Sequence, residues 1–285
     1  MSRLAERAAA AAAALSRLPA QRLSGRVAAL GALTLEVEGL AAFAARGDRL
    51  SIEGRAGAVE AEVVALEHGG RLRALAFGPL DEVRLGAPVE LLGGPGLAVS
   101  DAWLGRVLDP LGQPLDGLGP LPAGPVARSP RTAAPSAGRR ARLGPRLDLG
   151  VRALDAFCAM RRGQRLGLFA ASGVGKSTLL SMLARGAGCD VAVLALVGER
   201  GRELREFLED DLGPEGLARS VVVCATSDAP ALMRREAAYA AMAVAEHFAE
   251  AGRHVLLLMD SVTRFAMALR EIGLAAGEPP SARGY

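Results

Sequence analysis

Lys176 is the one lysine among 34 Lys and Arg residues, and it lies in Ala170-Ala-Ser-Gly-Val-Gly-Lys-Ser177. A chain that carries nearly all its positive charge on arginine has kept a compact ammonium, on a flexible stem, where a phosphate could be reached. Gly173 and Gly175 let backbone amides converge on phosphate oxygens, and a helix starting at the lysine adds the positive end of its dipole. Ala170, Ala171, Ser172, Gly173, Val174, Gly175, Lys176, Ser177 and Thr178 therefore form a candidate phosphate loop. In such a loop Lys176 would bridge the β- and γ-phosphates and the Ser177 hydroxyl would ligate Mg2+.

Two acids stand where partners of that loop belong. Asp260 directly follows Val255-Leu-Leu-Leu-Met259, the place for a second carboxylate that organises the metal through water. Glu199 follows the apolar run from Val191 to Gly198 and could orient or deprotonate an attacking water. Arg200, beside it, could neutralise charge developing on the γ-phosphate oxygens.

These residues need elements to carry them. Gln164-Arg-Leu-Gly-Leu-Phe169 reads as a short buried strand entering the loop, and Ser177 to Arg185 as a helix leaving it. Val191–Val197, Val221–Ala225 and Val255–Met259 are continuous apolar strands of the kind buried on both faces of a parallel sheet. Residues 231–251 read as a helix, capped by Asp228, with Pro230 in its first turn and Gly252 closing it. Alternating strands and helices around a phosphate loop predict an α/β phosphate-loop nucleoside-triphosphatase (P-loop NTPase) domain. Ligands of such domains sit beyond the carboxyl ends of the strands.

The remainder has a different character. From Gly25 to Gly94 short alternating strands follow one another, as in Leu33, Leu35 and Val37 against Thr34, Glu36 and Glu38, or Val59, Ala61 and Val63 against Glu60 and Glu62. Further strands are expected over 26–30, 49–52, 72–77 and 89–92, which together suggest a small closed barrel. Residues 112–146, rich in Pro, Gly and Arg, read as an extended connector, with Arg128, Arg131, Arg139, Arg140, Arg142 and Arg146 as a solvated run. Residues 1–20, with seven alanines from Ala8 to Ala14, read as an exposed helix suited to docking a partner. Polyalanine is too weakly apolar for a secretory signal, and Glu6 is atypical of a transit peptide. The expected domains are thus a helix over 1–22, a barrel over 23–95 and a nucleotide domain over 96–285.

Hydrophobic residues make up 51% of the chain and no apolar run approaches the length needed to cross a bilayer, which points to a soluble globular protein. A net charge of +3 does not argue for nucleic acid. Cys158, Cys189 and Cys224 have no metal-ligand spacing and read as small buried hydrophobes in a reducing compartment. His68, His247 and His254 form no zinc-like cluster with them.

The motifs together resemble one family. Gly105-Arg-Val-Leu-Asp-Pro-Leu-Gly-Gln-Pro-Leu-Asp-Gly117, Gly150-Val-Arg-Ala-Leu-Asp155, the phosphate loop, Gly198-Glu-Arg-Gly-Arg-Glu203, residues 209–219, Asp260-Ser-Val-Thr-Arg-Phe265 and residues 270–280 are similar to the ATPase of the flagellar type III export apparatus. That family is related to the catalytic subunits of rotary ATP synthases, and the resemblance covers residues 25–285. It implies a RecA-like core using ATP and Mg2+, with Lys176 on phosphate, Ser177 and Asp260 on the metal, Glu199 as catalytic carboxylate and Arg200 near the γ-phosphate. Arg264 is implied for the same neighbourhood. It further implies a cytoplasmic homohexamer, peripheral to the inner membrane, whose N-terminal helix binds a stalk regulator and which serves export chaperones and an export gate. Residues 209–219 favour the flagellar version over the virulence injectisome.

Three departures accompany the likeness. Ala171 stands where the family usually has glycine, and Leu269 where it has glutamine. The family also continues past the position of Tyr285, through an arginine finger and an adenine-contacting segment, so the 285 residues alone are expected to bind nucleotide weakly and hydrolyse it poorly. Two other classes compete. A termination-factor-like RNA translocase would stack bases on barrel aromatics, yet only Phe43 and Phe77 are aromatic between Gly25 and Gly94. A non-catalytic module would dock a stalk protein through the N-terminal helix alone.

Overall fold

The computed structural model describes Arg7, residues 22–171 and residues 173–280. Apart from Arg7 and Arg22, the expected docking helix over 1–22 lies outside the described residues, as does Ser172 of the phosphate loop. The chain divides into two compact units, Met1–Gly94 and Pro95–Tyr285.

In the first unit, β1 (Ser24–Leu30), β2 (Thr34–Glu38), β3 (Arg49–Gly54), β4 (Gly57–Glu67), β5 (Arg71–Ala76) and β6 (Pro88–Gly93) close into a barrel in the order β1-β2-β5-β4-β3-β6. Every neighbouring pair is antiparallel. Period-two alternation drives closure: Leu35, Val37, Leu50, Ile52, Ala61, Val63, Leu72 and Ala74 fill one interior. Glu62 departs from the expected outward position. It is buried, directly across the ladder from Arg49, whose guanidinium lies 4.0 Å from the Phe77 ring centre. Opposite charges facing each other across an antiparallel pair permit that burial.

The second unit is built on four parallel strands in the order β12-β10-β11-β7: β7 (Val107–Leu108), β10 (Val191–Glu199), β11 (Ser220–Thr226) and β12 (Val255–Asp260). A two-stranded ladder of β8 (Arg146–Leu147) and β9 (Met160–Arg161) flanks α1 (Arg152–Phe157). Then come α2 (Lys176–Gly186), α3 (Gly201–Glu206) running through a π turn into α4 (Gly213–Ala218), α5 (Ala231–Glu250) and α6 (Val262–Ala275).

Alternate residues of β10 face two cores, as its continuous apolar sequence requires. Val191, Val193, Ala195 and Val197 pack on the alanine-rich face of α5, and Ala192, Leu194 and Leu196 pack on Leu180, Leu183 and Ala184 of α2. The helix predicted over 231–251 forms, but Pro230 occupies the N-cap and no side chain caps it, so Asp228 does not cap. Asp228 is instead hydrogen-bonded to Thr226, which holds its carboxyl below the usual range.

Two further expectations need correction. Gln164–Phe169 does not form a strand: it joins no ladder among the described residues, and Phe169 is 98% exposed. Gly167 in its middle disfavours strand pairing. Nor is the connector wholly solvated. Arg128 binds Glu250 through two bonds of 2.9 and 2.6 Å, Arg131 binds Glu236 at 2.8 Å, and Thr132 reaches Glu246 at 3.0 Å. The acids of α5 supply the counter-charges, whereas Arg139, Arg140, Arg142 and Arg146 remain exposed. Among the cysteines, burial pushes the Cys224 thiol up to about 12, but Cys158 is exposed because α1 is a short surface helix without buried residues.

The Gly105–Gly117 motif proves to be a folding device. Asp116 accepts from Arg106 at 2.7 and 2.9 Å and from the Val107 and Leu118 amides at 3.0 Å. Asp109 likewise accepts from the Leu111 and Gln113 amides at 2.8 Å. The Arg106 hydrogen bonds hold the Asp116 carboxyl far below its ordinary value of 3.8. Its stabilising contribution is therefore fully present above about pH 4 and is lost as pH falls through the depressed folded value. Asp116→Asn should cost about 1.5–3 kcal/mol at pH 7 and flatten the acid limb of stability, as read by urea unfolding between pH 7 and pH 3.

Candidate active site

The phosphate loop is shaped by glycine. Gly173 and Gly175 adopt φ of +76° and +92°, left-handed values that side chains resist, and Gly175 is the N-cap from which α2 starts at Lys176. The first amides of α2 have no partners inside the helix and are available to a ligand. A cleft of about 890 Å³ is lined by Ala170, Ala171, Gly173, Gly175, Lys176, Ser177, Thr178, Glu199 and Arg264. An adjoining recess of about 180 Å³ has Ser177, Glu199 and Asp260 in its wall.

Lys176 and Asp260, 84 residues apart, form an ion pair. Asp260 is 4% exposed at the end of β12, so the sheet delivers a buried carboxylate to the loop. The strand ends also deliver Glu199, by a device the sequence reading missed. At Gly198 the register of β10 against β11 shifts: Val197 pairs with Ala225, but Glu199 pairs with Thr226. A bulge of this kind re-aims the following side chain, and Gly198 supports it with φ +72°. Arg264, on the first turn of α6, braces the bulge. It donates to the Gly198 carbonyl and lies 3.2 Å from the Glu199 carboxylate, while Ser261 caps its backbone amide.

A methyl group at Gly198 would meet Arg264 Cδ at 3.0 Å. Gly198→Ala should therefore destabilise the chain by about 1–2 kcal/mol through its left-handed backbone. It should also lower any Glu199-dependent activity, checked by thermal unfolding beside a turnover assay.

Burial raises the Glu199 carboxyl above the usual carboxylate range; Arg264 opposes this, and the hydrogen-bonded Glu203 and the Asp260 charge add to it. A carboxylate so placed can accept a proton near neutral pH more readily than a solvated one. Glu203, Ser261 and Thr263 also line the cleft and were not anticipated from sequence. Glu203 sits in the first turn of α3, three residues after its Arg200 N-cap. Two expected residues stay outside. Val174 is 64% exposed and Arg200 pairs with Glu203 at 3.1 Å with its side chain 78% exposed, so neither lines the cleft.

The donors around Ser177 and Asp260 are hard oxygens, as Mg2+ requires. Among the described residues no group of three or more His, Cys, Asp or Glu converges to hold a metal unaided. Mg2+ takes one or two carboxylates and completes its shell with substrate phosphates and water.

Comparison with known proteins shows what the chain is similar to. Residues 150–285 match the ATP synthase alpha/beta family, nucleotide-binding domain. The flagellum-specific ATP synthase of Caulobacter vibrioides is 52% identical over 276 residues, covering 96% of this chain and 62% of that protein. The type 3 secretion system ATPase of Xanthomonas euvesicatoria is 46% identical over 277 residues, covering 95% of this chain and 61% of the relative. Among solved structures, the assembled ATPase EscN with its central stalk EscO, from the type III secretion system of enteropathogenic E. coli, superposes with a TM-score of 0.83 at 40% identity. That match covers 91% of this chain and 63% of EscN. The chain spans about three fifths of the length of these relatives. The phosphate loop, Asp260 and the bulge-borne Glu199 lie in the segment that matches the ATP synthase alpha/beta nucleotide-binding domain, and over most of its length the chain is similar to flagellum-specific ATP synthases and type III secretion ATPases.

Proposed function

We propose that the cleft binds magnesium ATP and hydrolyses it, in the service of type III protein export. The observation that carries this reading is the meeting of Lys176 and Asp260 at the carboxyl rim of the sheet, with Glu199 beside them. Lys176 and the first amides of α2 would hold the β- and γ-phosphates, and Ser177 and Asp260 would hold Mg2+. When bound, Mg2+ supplies charge neutralisation on the phosphate oxygens. Glu199 would take a proton from a water whose oxygen forms the new bond to the γ-phosphorus. The bond to the β–γ bridging oxygen breaks, leaving ADP and inorganic phosphate. Arg264 keeps Glu199 aimed through the Gly198 bulge. Arg200, outside the cleft, is assigned no step.

Flagellar export is the first reading, since the Caulobacter flagellar relative aligns over nearly the whole chain at the higher identity. The virulence injectisome is the second, supported by the Xanthomonas relative and the EscN fold. Because EscN is an assembled ATPase seen with a central stalk, we infer a ring of this chain's copies around a stalk protein, with the barrel in the collar and residues 1–22 as a docking arm. Service to chaperones and a gate, at the cytoplasmic face of the inner membrane, belongs to the same proposal. Among the described residues no helix is long and apolar enough to cross a membrane. Equilibrium binding of a fluorescent ATP analogue, with phosphate release followed in parallel, tests the reading: saturable binding that needs Mg2+ is expected. Absence of binding with Mg2+ present would overturn it.

A further inference from the structure

Glu199 is held at two points, by two separate segments. Its main-chain carbonyl accepts from the Ser227 amide at 2.9 Å, in the turn that follows β11. Its carboxylate lies 3.2 Å from Arg264, on the first turn of α6. The aim of the side chain therefore depends on how that turn and that helix stand relative to each other.

Arg234 joins them. From one turn inside α5, its Nε donates to the Ala229 carbonyl of the turn at 3.1 Å and its Nη2 to the Glu271 carboxylate of α6 at 2.5 Å. Glu271 follows Arg264 by two helical turns, so the two occupy the same face of α6. The stem of Arg234 also covers the bulge: a methyl group at Gly198 would meet Arg234 Cδ at 3.7 Å, besides Arg264 Cδ at 3.0 Å. One planar guanidinium thus spans both holds on Glu199, which a single ammonium would not do with fixed geometry.

Stability is a poor reason for this arrangement. Glu271 is 50% exposed, and ion pairs that open to solvent contribute little. The Tyr239 and Phe265 rings, edge to face at 5.6 Å, already join α5 to α6.

We propose that Arg234, tied to Ala229 and Glu271, is a positioning residue that sets the aim of Glu199 through Ser227 and Arg264. The inference rests on the reading of Glu199 as the base and extends it to two residues that do not line the cleft.

The test compares the full chain with Glu271→Gln, Arg234→Gln and the double variant in single-turnover phosphate release from magnesium ATP. Each single variant should be about tenfold slower, as misplacement of a reacting group requires, with ATP affinity unchanged within about twofold. The melting temperature should fall by no more than about 3 °C. Glu199 is faced by Arg264 from α6, Glu203 from α3 and Asp260 from β12, the last paired with Lys176 of α2. Arg264 draws the carboxyl down, whereas Glu203 and Asp260 push it up, so loosening Arg264 should move the acid limb of the rate to higher pH. The double variant should lose about the same tenfold and not about a hundredfold, because both residues act through one joint.

Hydrogen exchange gives a readout that needs no turnover. The Ser227 amide, bonded to Glu199, should exchange faster in Glu271→Gln than in the unsubstituted chain. Slower release with an unmoved acid limb, or a hundredfold loss in the double variant, would make the pair merely structural and overturn the inference while leaving Glu199 as the base. If the unsubstituted chain releases no phosphate, the hydrolytic reading falls by itself and exchange decides the positioning: faster exchange at Ser227 sustains it, and unchanged exchange overturns it.

Discussion

Lys176→Ala is expected to lower hydrolysis by about 10²–10³-fold, the scale seen when a preorganised donor to a developing oxyanion is lost. It should also weaken magnesium ATP binding by at least about tenfold, since a charge-assisted hydrogen bond contributes roughly 1.5–3 kcal/mol. The same substitution also leaves the 4%-exposed Asp260 carboxylate without its partner. Removing one member of a buried pair can cost about 3–5 kcal/mol, and the partial exposure of Lys176 makes the lower end the relevant one. The double variant Lys176→Ala/Asp260→Asn separates the two effects. It should regain thermal stability relative to Lys176→Ala, because no orphaned charge remains, and should regain no hydrolysis. Recovery of turnover in the double variant would mean that the lysine mattered only for folding.

The barrel and the two-faced sheet were legible in the sequence because each rests on a periodicity. Leu35 and Val37 alternate with charged neighbours, and Val191–Val197 has no polar interruption at all. The phosphate loop was legible for another reason: glycines at Gly173 and Gly175 ahead of the only lysine leave few conformations and few functions open. What escaped were contacts between distant segments. Nothing local marks Arg128 and Arg131 as ligands of Glu250 and Glu236, more than a hundred positions away. Gln164–Phe169 has a strand's composition yet forms no ladder, because strand formation depends on which neighbours are present as well as on the segment itself.

The catalytic neighbourhood shows the same division. Asp260 and Glu199 could be placed at strand ends by counting from apolar runs, but not the bulge at Gly198 that turns Glu199 toward Ser177. A glycine immediately before an acid at a strand terminus was the available signal, and its left-handed backbone was the part composition could not reveal. Arg264 was anticipated near phosphate. In the structure its guanidinium is occupied by the Gly198 carbonyl and Glu199, so its first observable duty is to hold the carboxylate.

Glu199→Gln should separate binding from chemistry. The amide keeps the size and an oxygen to face Arg264, but it cannot take a proton from water, so hydrolysis should fall by about 10²–10⁴-fold. Magnesium ATP affinity should change by no more than about threefold, since Lys176, Ser177 and the helix amides are untouched. The unsubstituted chain adds a pH signature. Burial raises the Glu199 carboxyl from its ordinary 4.5, so the base is protonated at acidic pH and hydrolysis should climb along a limb displaced above that value. In Glu199→Gln that limb should vanish, leaving a slow rate insensitive to pH in the same interval, measured by single-turnover phosphate release from pH 4.5 to 8. A variant that kept both its rate and its acid limb would assign the proton to another acceptor, and Glu203, the next carboxylate in the cleft, would become the residue to replace.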